Sequence, residues 1–239
     1  MKKRTVILLA AALTAALGVT LGIGVSNCVA KQRKERERAE AVRAYRENKL
    51  MAYAEENAKA DGFEVVFLGD SLTDGCDLAT YYPEYDTTNR GIGGDTTSGL
   101  IERLQISAYD ANPQVIVLLI GGNDILGGRS VDEVCANYET ILSGIRQNLK
   151  DTKIVWCSQT VLGNEWAKHN DTIALCNQRI EALAAQYGCA FVDLYTPLQN
   201  PETGEIAAEY TVEGVHLTDA GYRVVSSAVG AALRGLLGH

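Results

Sequence analysis

The sequence is short of histidine, and its cysteines form no metal-binding or redox pattern. Only His169, His216 and His239 occur among the 239 residues. The six cysteines include no Cys-x-x-Cys pair, and no histidine stands at a spacing suited to zinc. We therefore expect no metal and no cofactor, and most cysteines should be small buried side chains. Any histidine chemistry depends on one of three side chains.

The sequence also lacks the features of a nucleotide-binding or nucleic-acid-binding protein. The glycine-rich run at residues 91–94 has no P-loop lysine and matches no dinucleotide fingerprint. The formal net charge is −8, divided as +6 over residues 1–60 and −14 over residues 61–239. Because an acidic body repels polyanions, nucleic acid is excluded as the expected partner, and a neutral substrate is favoured.

An apolar segment lies at the N-terminus. Residues 2–4 are basic, and residues 5–25 are almost wholly apolar. About 20 such residues span a bilayer, whereas the apolar core of a cleavable signal has about 7 to 15. We therefore expect residues 1–30 to form a membrane anchor that holds the remaining chain on the extracytoplasmic side. The alternative is secretion after cleavage near Ala30. Basic residues flank both ends, so the positive-inside rule leaves the orientation open.

The rest of the sequence predicts a helical spacer followed by one α/β domain. Residues 31–60 are rich in Ala, Glu, Lys and Arg and contain no Gly or Pro, which favours a charged helix. Apolar runs then predict buried parallel strands, and helical periodicity separates them. This alternation predicts a five-stranded parallel sheet in a three-layer α/β/α sandwich over residues 61–239. The predicted strands are residues 64–68, 87–90, 115–120, 154–156 and 190–192, and the helices are residues 97–108, 131–149, 170–187 and 219–237.

Four short motifs carry the candidate chemistry. Ser71 lies in Gly-Asp-Ser-Leu, at the turn that ends the first predicted strand. Such a turn places its side chain at the carboxyl edge of the sheet, where open α/β folds bind ligands. Ser71 is therefore a candidate nucleophile, although Asp70 or Ser71 could instead cap a helix. The other motifs are Gly-Ile-Gly-Gly-Asp at residues 91–95, Gly-Gly-Asn-Asp at residues 121–124 and Glu-Gly-Val-His at residues 213–216.

In this order, the four motifs resemble those of the SGNH (GDSL-type) hydrolase family, over residues 63–230. The resemblance implies a flavodoxin-like SGNH hydrolase fold and a serine esterase that acts on small acyl esters. Residues 89–104 most resemble the branch of platelet-activating-factor acetylhydrolase-like enzymes and bacterial carbohydrate O-acetylesterases. That branch implies acetyl esters, including O-acetyl groups on glycans.

Acyl transfer from an ester requires a nucleophile, a base and donors for the developing oxyanion. His216 is the candidate base, because His169 lies in a polar stretch and His239 is terminal. The candidate oxyanion donors are the amides of Ser71 and Gly94 and the side chain of Asn123. The resemblance identifies Gly94, directly before an aspartate, as the oxyanion glycine. Turn geometry for the glycine and helix capping for the asparagine are the structural alternatives.

The sequence departs from the family pattern at Glu213. The family has Asp three residues before the catalytic histidine, whereas this chain has Glu, whose extra methylene demands a shifted backbone or rotamer. We expect Glu213 to complete a catalytic triad with Ser71 and His216. The alternatives are Asp219, expected to cap the last helix, and a main-chain carbonyl in place of any acid.

Two other functions remain open at this point. A lysophospholipase or longer-chain acylhydrolase would suit an active site tethered to a bilayer. A catalytically silent carbohydrate-binding module on the same fold would explain the change to Glu213, although the intact Ser71, Gly94, Asn123 and His216 argue against it.

Overall fold

The computed structural model describes residues 2–238, with side chains from Cys28 onward. A long helix, α1 (Lys2–Asn57), begins the chain, and Met1–Asn48 and Lys49–His239 form two compact units. None of the helices in the described part of the chain is long and apolar enough to cross a membrane. The apolar run at residues 5–25, on which the predicted anchor depends, lies outside the residues whose side chains are described.

The second unit contains the predicted five-stranded parallel sheet. The strand order β2-β1-β3-β4-β5 is that of flavodoxin-like folds, and every pairing is parallel. Each predicted strand is confirmed, with ends shifted by no more than two residues. The strands are β1 (Phe63–Gly69), β2 (Thr87–Gly91), β3 (Pro113–Leu119), β4 (Lys153–Cys157) and β5 (Ala190–Val192).

Helices cover both faces of the sheet, as the three-layer prediction requires. Alternate residues of a strand point to opposite faces. Val66 and Leu68 of β1 therefore belong to one core cluster, and Val65 and Phe67 belong to the other. The first cluster packs against α4 (Thr97–Leu104), α6 (Val131–Asn148) and α7 (Asn170–Tyr187), and the second against α8 (Tyr195–Leu198) and α9 (Asp219–Leu237). Three short helices complete the set: α2 (Ser71–Asp74), α3 (Leu78–Tyr81) and α5 (Gly122–Leu126).

Two helix ends differ from the sequence prediction. The helix expected over residues 97–108 ends as α4 at Leu104 and continues as a π-helical turn, Gln105–Tyr109. At α9, the N-cap is Thr218, whose hydroxyl accepts a hydrogen bond from the Gly221 amide, so the expected capping role of Asp219 is wrong. Asp219 is instead the first helical residue, where its negative charge interacts favourably with the positive end of the helix dipole.

The last two turns of α1 pack against the edge strand β2. The Tyr53 side chain is buried, and its hydroxyl donates to the Gly91 carbonyl at 2.6 Å. The fully buried Arg90 guanidinium pairs with Glu56, donates to the Asn57 side chain at 2.9 Å and lies 4.6 Å from the centroid of the Tyr53 ring. Helix is observed through residue 57 of the predicted spacer, and residues 49–60 belong to the same compact unit as residues 61–239.

We predict that a chain shortened to begin at Asp61 is much less stable than one that begins at Lys49. The shorter chain loses the buried Tyr53 side chain and both side-chain partners of Arg90, and loss of a buried aromatic side chain alone costs about 3–5 kcal/mol. Chemical denaturation of both chains measures the difference. Equal free energies of unfolding would show that the end of α1 does not support the sheet.

Candidate active site

The ends of β1, β2 and β3 lie side by side at the carboxyl edge of the sheet. The strand register pairs Gly69 with Gly91 on one side and with Leu119 on the other. A methyl group on Gly69 would lie 2.4 Å from the Leu119 carbonyl oxygen, so this close approach requires glycine. The three loops that carry the candidate residues therefore start from neighbouring points.

Ser71 begins the short helix α2, directly after β1. The Asp70 side chain caps this helix and accepts a hydrogen bond from the Leu72 amide at 3.1 Å. The capping role considered for this pair thus falls to Asp70. The Ser71 hydroxyl oxygen instead lies 3.1 Å from Nε2 of His216. This distance is within reach of a direct proton transfer between the hydroxyl and the imidazole.

His216 and Glu213 lie on one tight loop before α9. The Thr211 hydroxyl donates to the His216 carbonyl at 3.0 Å, and the Val212 amide donates to the same carbonyl at 2.9 Å. Glu213 Oε1 contacts Nδ1 of His216 and also accepts from the His216 amide at 3.2 Å. The longer glutamate side chain therefore reaches the imidazole from three residues earlier in the chain.

Asp219, the alternative acid, is engaged elsewhere. Its carboxylate accepts a hydrogen bond from the Tyr81 hydroxyl at 2.9 Å and pairs with Arg223 at 2.9 Å. Of the two carboxylates considered for the third position, the structure brings Glu213 to the histidine.

The candidate oxyanion residues lie on the loops that follow β2 and β3. Gly94 is exposed and has φ +75°, a conformation that favours glycine. The Asn123 amide nitrogen donates to the Asp95 carbonyl at 2.8 Å, so this bond links the two loops. An asparagine NH2 group has two donors, and the second is available for a ligand.

Asp95 and Asp124 hold these loops in place. Asp124 is buried and accepts hydrogen bonds from the Thr97 amide at 2.8 Å and the Thr97 hydroxyl at 2.7 Å. Asp95 forms a buried ion pair with Arg103 at 2.7 Å. Neither carboxylate contacts the Ser71 hydroxyl or the His216 ring in the described hydrogen bonds.

Sequence analysis missed Arg103 and the residues after β4 that line the site. Arginine in a helix is usually exposed, and the one signal for the burial of Arg103 was its helical spacing from Leu100 and Leu104, which puts it on the apolar face. Gln159 and Thr160 follow a predicted strand, and their position at a carboxyl strand end was the one signal that could have indicated them.

A small cleft opens beside Ser71. Its volume is about 30 Å³, well below the range for ligand sites. Asn123 and Gln159 supply polar groups, and the apolar lining comes from Leu126, Leu162, Ile173 and Val215. A larger cleft of about 570 Å³ lies at the amino ends of β3 and β4, away from the candidate residues. The cleft beside Ser71 therefore suits a small apolar group attached to a polar reacting centre.

Asp70, a buried carboxyl, directly precedes the candidate nucleophile Ser71. Burial raises the pKa of Asp70 to about 7, and the nearby Asp95 carboxylate acts in the same direction. The hydrogen bond from the Leu72 amide and the charges of His216 and Arg103 oppose this rise in pKa. A folded-state pKa above the unfolded value means that Asp70 stabilises the fold fully at pH below about 4, and loses this contribution as the pH rises through about 7.

We predict that Asp70→Asn removes this pH dependence, because asparagine resembles the protonated acid and keeps the capping oxygen. Relative to the variant, the natural protein should lose up to about 4 kcal/mol of unfolding free energy between pH 4 and pH 8. Denaturant titrations at several pH values measure it. Asp132→Asn, at a carboxyl that is 88% exposed, is the control. Parallel pH curves for the natural protein and Asp70→Asn would contradict the prediction.

The described residues contain no cluster of His, Cys, Asp and Glu able to hold a metal ion. The cysteines, of which Cys157 and Cys176 are fully buried, are all free thiols.

Known proteins resemble this chain in both sequence and fold. N-acylneuraminate cytidylyltransferases of Streptococcus agalactiae are 26% identical over 153 residues, 64% of this chain and 34% of theirs, so the chain spans about a third of their length. A GDSL esterase/lipase of Arabidopsis thaliana is 27% identical over 72% of this chain and 85% of its own.

A solved structure and a family model are also similar to this chain. A Streptococcus pneumonia protein, provisionally described as a platelet activating factor, superposes with a TM-score of 0.76 at 27% identity, over 81% of this chain and 95% of its own. The sequence model of the GDSL-like Lipase/Acylhydrolase family matches residues 67–224, which include all four motifs. The chain therefore belongs to the GDSL-like Lipase/Acylhydrolase family.

Proposed function

We propose that this protein is a serine esterase, a carboxylic ester hydrolase that works through an acyl-enzyme. The observation that carries the proposal is the chain of contacts from Ser71 Oγ to His216 Nε2, at 3.1 Å, and from His216 Nδ1 to Glu213. This is the arrangement that a serine nucleophile, its general base and an orienting acid require.

In the proposed mechanism, His216 takes the proton of the Ser71 hydroxyl as the oxygen attacks the ester carbonyl. The charge that develops on the carbonyl oxygen is stabilised by the amides of Ser71 and Gly94 and by the Asn123 side chain. The protonated His216 then donates its proton to the leaving alcohol. Water, activated by the same histidine, hydrolyses the acyl-enzyme and restores Ser71. Glu213 holds the imidazole in the required tautomer and stabilises its charged form.

We propose an acetyl group as the preferred acyl group, in particular O-acetyl groups on glycans. The small volume of the cleft beside Ser71 supports a short acyl chain, and its apolar wall suits a methyl group. The net charge of −14 over residues 61–239 supports a neutral substrate over an anionic phospholipid surface. The lysophospholipase alternative requires more apolar room than this cleft has. The silent binding module does not account for the contact between Ser71 and His216.

We also propose that the N-terminal segment attaches the protein to a membrane, with residues 61–239 on the extracytoplasmic side. The support is the apolar composition of residues 5–25 after three basic residues. Fractionation of cells that express the full chain tests attachment, and release into the medium would indicate cleavage near Ala30 instead.

The esterase proposal predicts a chain-length profile and a labelled serine. Aryl acetate should be hydrolysed faster than aryl hexanoate or palmitate, because the cleft is small. Ser71→Ala should lower turnover by several orders of magnitude and abolish labelling by a fluorophosphonate, without loss of folding, because triad members act as a unit. Turnover assays measure the chain-length profile and the loss of activity, and thermal melting checks that the variant is folded. Normal turnover by folded Ser71→Ala protein would refute the assignment.

Glu213 supplies a second prediction. If Glu213 orients His216, Glu213→Gln should depress turnover strongly, because it removes the charge that stabilises the imidazolium. Glu213→Asp should keep partial activity, since the shorter side chain leaves a gap of about 1 Å. Asp219→Asn, at the carboxylate bound to Tyr81 and Arg223, is the matched control and should keep full turnover. Full activity in Glu213→Gln would instead indicate a Ser71 and His216 dyad.

A further inference from the structure

Arg103 is a buried charge that the proposed mechanism does not use. Its side chain is 1% exposed, as is that of its ion-pair partner Asp95. Removing two charges from water is costly, and their attraction offsets the cost only where the geometry is good and the remaining donors are satisfied. The donors of Arg103 meet acceptors in several directions, so its contacts show what this buried charge holds together.

The contacts of Arg103 reach the starts of two catalytic loops. Nη2 donates to the Gly69 carbonyl at 2.9 Å, one residue before the Asp70-Ser71 turn. Nη1 donates to the Arg90 carbonyl at 2.8 Å, near the end of β2. Nε donates to the Asp95 carboxylate at 2.7 Å, one residue after Gly94. One planar group thus spans the nucleophile loop and the glycine loop.

The third loop joins this network through Asp95. The Asp95 carbonyl accepts the hydrogen bond from the Asn123 side chain at 2.8 Å, while the Asp95 carboxylate is held by Arg103. The Gly69 carbonyl that Arg103 binds also accepts from the Ile92 amide at 3.2 Å, which ties the first two loops directly. Arg103 therefore binds close to each candidate oxyanion donor. It holds Gly69, two residues before Ser71, and it holds Asp95, which follows Gly94 and accepts the hydrogen bond from Asn123.

We propose that Arg103 is a positioning residue, which sets the relative positions of the three oxyanion donors: the Ser71 amide, the Gly94 amide and the Asn123 side chain. The proposal rests on the esterase function proposed above. Only the guanidinium fork can bond a carboxylate and two carbonyls that lie in different directions. A lysine keeps the charge but supplies a single ammonium, so it cannot hold the same three acceptors in place. Donors misplaced by about 1 Å lose much of their effect on the transition state.

Arg90 provides a matched comparison. Its guanidinium is also fully buried and paired, but its partners are Glu56 and Asn57 at the end of α1. Substitution of the Arg90 side chain leaves its carbonyl, which is the group that Arg103 binds. Arg90→Lys thus perturbs an ion pair of a buried arginine whose side-chain partners, Glu56 and Asn57, lie on α1 and not on the loops.

The test is a double-mutant cycle on the full chain, with kcat and KM for an aryl acetate. Arg103→Lys and Arg90→Lys are each made in the natural sequence and with Asn123→Ala. We expect Arg103→Lys to lower kcat at least about tenfold with little change in KM, because only transition-state contacts are lost. With Asn123→Ala already present, the same change should cost a much smaller factor, since the oxyanion site is already impaired. Arg90→Lys should lower the melting temperature and leave kcat unchanged.

Equal fold-losses of kcat from Arg103→Lys in both backgrounds would overturn the proposal, as would an equal loss from Arg90→Lys. If Arg103→Lys does not fold, Asp95→Asn weakens the same clamp and replaces it in the cycle.

A second readout does not require activity. Amide hydrogen exchange should accelerate at residues 69–72 and 92–95 in Arg103→Lys, and at residues 49–57 in Arg90→Lys. An inactive natural protein would refute the esterase proposal, whereas unchanged exchange at the loops would refute the role of Arg103 by itself.

Discussion

Parallel hydrogen bonding of β1 with both β2 and β3 places Gly69 level with Gly91 and Leu119. Each short loop that follows begins at this common level, so Ser71, Gly94 and Asn123 inherit their spacing from the sheet. A shift of one residue in this register would move a loop by about 3.3 Å and turn its side chains to the other face. The candidate site therefore depends first on strand pairing, and only then on the side chains that refine it.

The polar groups beneath the loops form the second level of this organisation. Asp70 and Asp95 are both buried near the single positive charge of Arg103, in a region from which water is largely excluded. Such a cluster costs desolvation energy, and an apolar core of the same volume would be at least as stable. The cluster instead orients the loops above it, because hydrogen bonds fix angles that apolar packing leaves free. In this region, the positions of the loops are fixed by hydrogen bonds at a cost in folding stability.

Sequence patterns predicted the elements whose environment is uniform. The runs that form β1 and β3 are continuously apolar because both faces of these strands are buried, and so they are easily recognised in the sequence. The edge strand Thr87–Gly91 is more polar and gave a weaker signal. The proximity of Ser71 and His216 was predictable from the motifs and from the scarcity of histidine.

Other features depend on tertiary contacts that a local pattern does not encode. The contacts of Arg103 could not be predicted, because its acceptors come from β1, β2 and the loop after β2, which are distant in sequence from the helix that carries it. Likewise, the charged composition of α1 predicted a helix but not that Tyr53 would be buried against β2.

The contact between α1 and β2 has a consequence for self-association. β2 is an outer strand of the sheet, and an outer strand presents backbone groups to which a strand from another molecule can pair. The Tyr53 hydroxyl donates a hydrogen bond to the Gly91 carbonyl, and the Glu56 carboxylate accepts one from the Thr88 hydroxyl of the same strand. The end of α1 thus covers this edge of the sheet, and a folding intermediate in which α1 has not yet packed against β2 would be most open to aggregation there.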